Sequence, residues 1–253
     1  MLRRLIFHAR LLPLATVLAV AACDDAGTAP TSYVQVVAGG AWVAVAEPPG
    51  MPRADTWLPW LAADGPAAAQ VRQLRDAAGR ARGGGRVEEA ISMEDDALRL
   101  AAGSLARSPD AVRGVLGPLA ALDVWTDRAR ARLEMGRYPE LHAAAAGVAA
   151  EAAAARRALA AGDTMTAVAH LANGTLLARR HSTVGVGLRL LAAVEARLGP
   201  PKNIDSTNLK RARHLLAGAR EALATGDSMR AMRRAVYALQ LLDQEGIALP
   251  APT

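Results

Sequence analysis

A chain of 253 residues that is 52% hydrophobic has enough apolar material for a core, and with one cysteine it cannot close an intramolecular disulfide. Its formal charge of +6 comes with aromatic residues at only 3%; a basic chain without stacking platforms does not suit single-stranded nucleic acid, and that partner class is excluded. Its basic side chains are almost all arginine, with Lys202 and Lys210 the exceptions, as compositional bias would give.

The chain begins with a basic stretch, Arg3, Arg4 and Arg10, followed by an apolar run from Leu11 to Ala21. A run of about eleven residues is too short for a permanent membrane span and reads as an export signal, residues 1–22, that is removed. Val20-Ala21-Ala22-Cys23 resembles the lipobox of bacterial lipoproteins. The resemblance implies a diacylglyceryl group on the Cys23 thiol, cleavage just before it and acylation of the new amino terminus. It also implies export, attachment to a bacterial cell membrane through lipid, and a place facing the periplasm. Asp24 resembles the inner-membrane retention signal of some enteric bacteria. Loss of the three leader arginines takes the formal charge from +6 to roughly +3. With Cys23 acylated, no thiolate remains for catalysis or metal binding.

Residues 23–32 are small, polar and turn-forming, as a lipidated tether requires. Residues 33–64 form an aromatic-containing segment in which Tyr33–Val37 and Ala41–Val45 flank Ala38-Gly39-Gly40, a pattern that predicts a short β-hairpin. A lone hairpin is marginal in water, so it has to lie on a larger body. Tyr33, Trp42, Trp57 and Trp60 fall in this segment. They either form an indole belt at headgroup level or, more simply, cover an apolar stripe of the helices.

Residues 65–248 are rich in Ala, Leu, Arg and Glu and read as helix. Punctuation predicts helices over 66–82, 86–107, 109–135, 138–161, 163–198, 205–225 and 227–245. Ser108-Pro109 marks a helix start, Gly199-Pro200-Pro201 a stop, and Gly117-Pro118 a kink or division. Gly185 and Gly187 are the weak points of the long fifth helix. A duplication at an offset of 64 aligns Ala155–Ala167 with Ala219–Ala231, and nine of thirteen positions are identical. Each copy carries Gly-Asp, where glycine can leave one helix left-handed and aspartate can cap the next. The duplicated hairpins therefore lie around 150–180 and 214–244. In the second, Leu209, Ala212, Leu216, Ala219 and Leu223 make one apolar stripe, facing Met229, Met232, Val236 and Leu239.

These turns, with looser relatives at 129–141 and 81–90, resemble the helix–turn–helix core of tetratricopeptide-like repeats. The fold class expected is all-α, antiparallel helical hairpins forming a bundle or a short stack of that kind. In a stack, the last four predicted helices would line a groove for a peptide or partner helix.

Candidate chemistry is sparse. His170 and His181 share one face of the predicted fifth helix, but an i, i+11 pair lies about 16 Å apart along the axis and cannot hold one ion. His142 and His214 complete the histidines beyond the leader. No Glu-x-x-His occurs, no Gly-x-Ser-x-Gly, and Gly83–Gly85 are not followed by Gly-Lys-Ser/Thr. No catalytic residue, metal or cofactor is therefore expected, and the chain does not read as an enzyme. Glu88-Glu89 and Glu94-Asp95-Asp96 read as a solvated acidic face, with Glu94 pointing partly inward between Ile91 and Leu98. Arg230, Arg233 and Arg234 read as one basic face, able to meet anionic headgroups or an acidic partner protein. The expected role is a cell-envelope interaction or scaffolding module. The alternative is a bundle binding a small ligand, metal or haem around His170 and His181.

Overall fold

A computed structural model describes residues 32–37, 40–105, 111–134, 138–199 and 206–247. The leader, Cys23, all of the tether but Ser32, and Ser108-Pro109 lie outside the described residues. Two strands, β1 (Ser32–Val37) and β2 (Gly40–Val45), pair antiparallel from Ser32 opposite Val45 to Val37 opposite Gly40. A short helix α1 (Ala54–Trp57) runs into a 3-10 turn over Leu58–Trp60. Eight longer helices follow among the described residues: α2 (Pro66–Gly83), α3 (Val87–Leu105), α4 (Ala111–Leu133), α5 (Pro139–Ala160), α6 (Thr164–Arg180), α7 (Thr183–Leu198), α8 (Thr207–Ala224) and α9 (Ser228–Gln244). None of the described helices is long and apolar enough to cross a membrane.

The chain is all-α with an N-terminal hairpin, and its helices pack as a bundle. Antiparallel pairs α2–α3, α5–α6 and α8–α9 form the hairpins, and α3 also lies against α6 and α8, which are distant in sequence. A solenoid repeat touches only the repeats beside it. The non-sequential packing here closes the helices around two hydrophobic clusters instead. One gathers Trp57, Leu98, Leu122, Trp125 and Leu171; the other gathers Val186, Leu190, Leu216, Met232 and Leu239.

Strand β2 lies between the two. Its period-two alternation sends Val43 and Val45 into the first cluster and Ala44 into the second, with Trp42 packed beside it. The strand is thus apolar on both faces and buried on both. The hairpin also gains polar anchors that a free one lacks: Val45 N–H donates to the His181 carbonyl at 2.8 Å, and Arg128 donates to the Ala46 carbonyl at 3.2 Å. Trp57 is fully buried and Trp60 packs partly buried against the first cluster. Trp42, Trp57 and Trp60 therefore cover the bundle from within.

The duplicated turns are built alike. Gly162 and Gly226 have φ of +77° and +85°, which glycine adopts without a Cβ clash. Asp163 N–H then reaches back to the Ala158 carbonyl at 2.9 Å, and Asp227 N–H to that of Ala222 at 2.8 Å. Each carboxylate caps the following helix, accepting from Thr166 N–H at 3.0 Å and from Arg230 N–H at 2.9 Å. One residue thus ends the first helix and starts the second.

The predicted fifth helix is two. It breaks at His181-Ser182, where Ser182 Oγ donates to the Arg179 carbonyl at 2.7 Å and accepts from Gly185 N–H at 3.1 Å. A methyl group on Gly185 would lie 2.7 Å from the Arg180 carbonyl oxygen and closer still to that of Arg179. The corner between α6 and α7 therefore admits only glycine there. In contrast, Pro118 does not divide α4, which runs through it at the loss of one ladder bond. At the far end, Arg197 is 8% exposed, pairs with Asp243 and donates through Nε to the Ile247 carbonyl at 2.8 Å, tying α9 to α7. A charge that is paired and hydrogen-bonded in this way is tolerated in the interior.

Two substitutions separate backbone cost from packing cost. Gly162→Ala, with open space around the added methyl, loses about 1 kcal/mol from the left-handed φ alone. Gly185→Ala meets backbone it cannot displace, and its loss lies at or above the top of the roughly 1–3 kcal/mol range for overpacking. Leu239→Ala, 3% exposed in the second cluster, loses about 2–5 kcal/mol. Urea denaturation midpoints of the three variants check this order.

Candidate functional site

A cleft of about 640 Å3 opens where the two clusters meet, between the α2–α3 hairpin, the α6–α7 corner and the α8–α9 turn. The segment Glu47–Asp55 borders one side. Its size falls among small-molecule pockets, which occupy roughly 300–1,000 Å3. Its apolar lining is Val87 and Ile91 from α3, Leu176 from α6, Val184 and Leu188 from α7, and Leu223 from α8. Its charged lining comes from α3, α6 and α7 as well, together with α2 and the segment Glu47–Asp55, and its organising residue is Arg179.

Arg179 lies in the last turn of α6 with its side chain 16% exposed and faces three carboxylates: Asp95 at 2.8 Å, Glu94 at 3.1 Å and Glu47 at 3.9 Å. Glu94 also accepts from Arg82 at 2.7 Å, so α2, α3, α6 and the segment after β2 meet in one ion-pair network. Charges this sheltered from water are only weakly screened by salt. Burial raises the Asp95 carboxyl above its ordinary 3.8, against the opposing pull of the Arg179 guanidinium. The acidic run is therefore not a uniform solvated face. Asp96 is exposed and pairs with Arg99 at 2.8 Å, while Glu94 and Asp95 turn into the cleft. Glu94 falls one turn from both Ile91 and Leu98, the signal for its inward direction. Nothing local in the sequence marks Arg179 as its partner, 85 residues away.

Arg189 crosses from α7 to Glu140 on α5 at 2.7 Å, with its guanidinium carbon 5.6 Å from the centre of the Trp42 ring. Arg180, also lining the cleft, is exposed and has no ion-pair or hydrogen-bond partner for its guanidinium among the described residues. Ser182, the hydroxyl of the cleft, is engaged on both sides by backbone at the helix corner.

The histidines are not brought together. His170 lies on α6 and its Nδ1 meets Glu151 Oε2 at 2.7 Å. His181 is the C-cap residue of the same helix, because the helix ends there rather than continuing. His142 and His214 are exposed. Among the described residues no group of three His, Cys, Asp or Glu side chains is placed to hold a metal ion. The three arginines of α9 do not form one free face either. Arg230 and Arg233 are exposed, but Arg234 folds back onto α8 and donates to the Gly218 carbonyl. On the neighbouring helix Arg211 covers the Tyr237 ring at 5.3 Å.

His181 supplies a measurable pH dependence. Burial first, then the nearby Arg189 charge, depress its imidazole from 6.5 to about 4, with Glu140 opposing. The folded protein holds it neutral while the unfolded chain protonates it near 6.5, so stability is lost as pH falls from about 6.5 to about 4. Asp95, shifted upward, contributes with the opposite sign at the acidic end. Comparison with His181→Gln cancels that contribution. The wild-type urea midpoint falls more between pH 7 and pH 4.5 than that of the variant; equal slopes would contradict the burial of a neutral imidazole.

No family model, curated protein or solved structure matches this chain.

Proposed function

We propose that this chain is an exported, lipid-anchored helical protein that binds a small ligand in the cleft between its two cores. The observation that carries the reading is the cleft itself: about 640 Å3, lined both by apolar side chains and by paired charges. Such a site offers burial for a ligand body and oriented polar groups for its head. Binding rather than turnover is favoured, because Ser182 is engaged by backbone and Glu47, Glu94 and Asp95 are ion-paired. The lipobox resemblance at Cys23 supports the anchor and the address outside the cytosol.

A second reading keeps a protein partner. It is supported by Arg230 and Arg233, which stand exposed on α9 without an ion-pair partner among the described residues. In that reading Arg234 has no part, since α8 already holds it.

The cleft is tested with the neutral fluorophore N-phenyl-1-naphthylamine on the full chain. One saturable site is expected, weakened at least fivefold by Leu188→Gln while the unfolding midpoint stays above the assay temperature. Linear, non-saturating uptake, or identical binding by the variant, would remove the cleft as a ligand site. Incorporation of a fatty-acid probe by the wild type and not by Cys23→Ser checks the anchor.

A further inference from the structure

The charge inventory of the cleft points to the class of ligand, an inference that rests on the cleft being a binding site. Six arginines line it, Arg53, Arg75, Arg82, Arg179, Arg180 and Arg189, against four carboxylates, Glu47, Asp55, Glu94 and Asp95. Every one of those carboxylates already has an arginine: Asp55 has Arg75, Glu94 has Arg82 and Arg179, Asp95 has Arg179, and Glu47 has Arg53 and Arg179. Arg189 is met by Glu140 from outside the cleft. Arg180 is left without an acidic partner among the described residues. The cleft therefore carries a residual positive charge at one known side chain, in a lining that also holds apolar side chains of α3, α6, α7 and α8.

We propose that this cleft binds a monoanionic amphiphile, a straight-chain carboxylate whose head pairs with Arg180 and whose alkyl chain lies along Ile91, Val184, Leu188 and Leu223. A guanidinium presents two parallel N–H groups that match a carboxylate. A cationic amphiphile would add to a charge already in excess. A neutral one would bury its chain and leave Arg180 unanswered. A phosphate dianion would ask for more free donors than one guanidinium supplies. With its head on Arg180, the ligand lays its alkyl chain along the apolar side chains of α3, α7 and α8.

The experiment uses the full chain carrying Cys23→Ser, so that no acyl chain of its own can enter the cleft. Octanoate, decanoate, dodecanoate and dodecyltrimethylammonium, all below their micellar concentrations, are titrated against bound N-phenyl-1-naphthylamine. Dodecanoate displaces the probe from a single site, and affinity rises about fourfold for each methylene added between octanoate and dodecanoate. Arg180→Gln weakens dodecanoate at least tenfold, and at least five times more than it weakens the neutral probe. Arg157→Gln, an exposed arginine on α5 away from the cleft, changes neither. If the probe binds but dodecanoate fails to displace it, or displaces it no better than the cation, or is indifferent to Arg180→Gln, the carboxylate assignment is overturned while the cleft stands. If neither probe nor carboxylate binds, both fall together.

Discussion

The structure depends on a strand that is apolar on both faces. β2 enters between two groups of helices that would otherwise have to meet through alanine-rich surfaces, which bury little area per residue. Val43 and Val45 fill one side and Ala44 the other, so removing the strand would open both cores at once. Its backbone is answered as well as its side chains, because Val45 N–H reaches the carbonyl of His181 at 2.8 Å. That bond lands on the corner between α6 and α7, the same corner that turns Arg179 and Arg180 toward the cleft. The chain leaves the strand at Glu47, where the charged network begins. The seam between the cores is thus apolar along β2 and polar where β2 ends.

The polar part of the seam is held in place before any ligand arrives. Arg179 draws carboxylates from α3 and from the segment after β2 into one cluster, and Arg82 reaches it from α2. Half-buried groups of this kind keep much of their mutual attraction because salt screens them poorly. Removing one partner would leave like charges facing each other, so the network is mutually dependent. A site whose charges are fixed by each other loses little freedom on binding, which is the physical basis of preorganisation.

Much of the bundle was legible because its boundaries are chemical. Gly-Asp marks both duplicated turns, and the left-handed φ at Gly162 and Gly226 with the caps from Asp163 and Asp227 follows from those residue types. The break at His181-Ser182 had a signal too, a serine with glycine three residues on, but unbroken helical periodicity through Val184 and Leu188 outweighed it. Gly185 read as a weak point in a continuous helix when it is what allows the corner. The cleft was not legible. Its residues come from the segment after β2 and from six different helices, and pairings such as Glu94 with Arg179 join positions that no local pattern connects. Arg234 shows the same limit: helical spacing placed it beside Arg230 and Arg233, and only the approach of α8 turns it away.

The duplicated turns have come to rest in different surroundings. The first joins α5 to α6 around the core that holds Trp125, and its glycine is not part of the cleft lining. The second joins α8 to α9 around the other core, and Gly226 forms part of the cleft wall. Two sequences that began alike are therefore under unequal obligations. Extra residues at 162–163 could loop outward and leave the cleft lining alone, whereas the same insertion at 226–227 would change that lining. Of the twin hairpins, one turn lies clear of the cleft and its sibling helps to shape it.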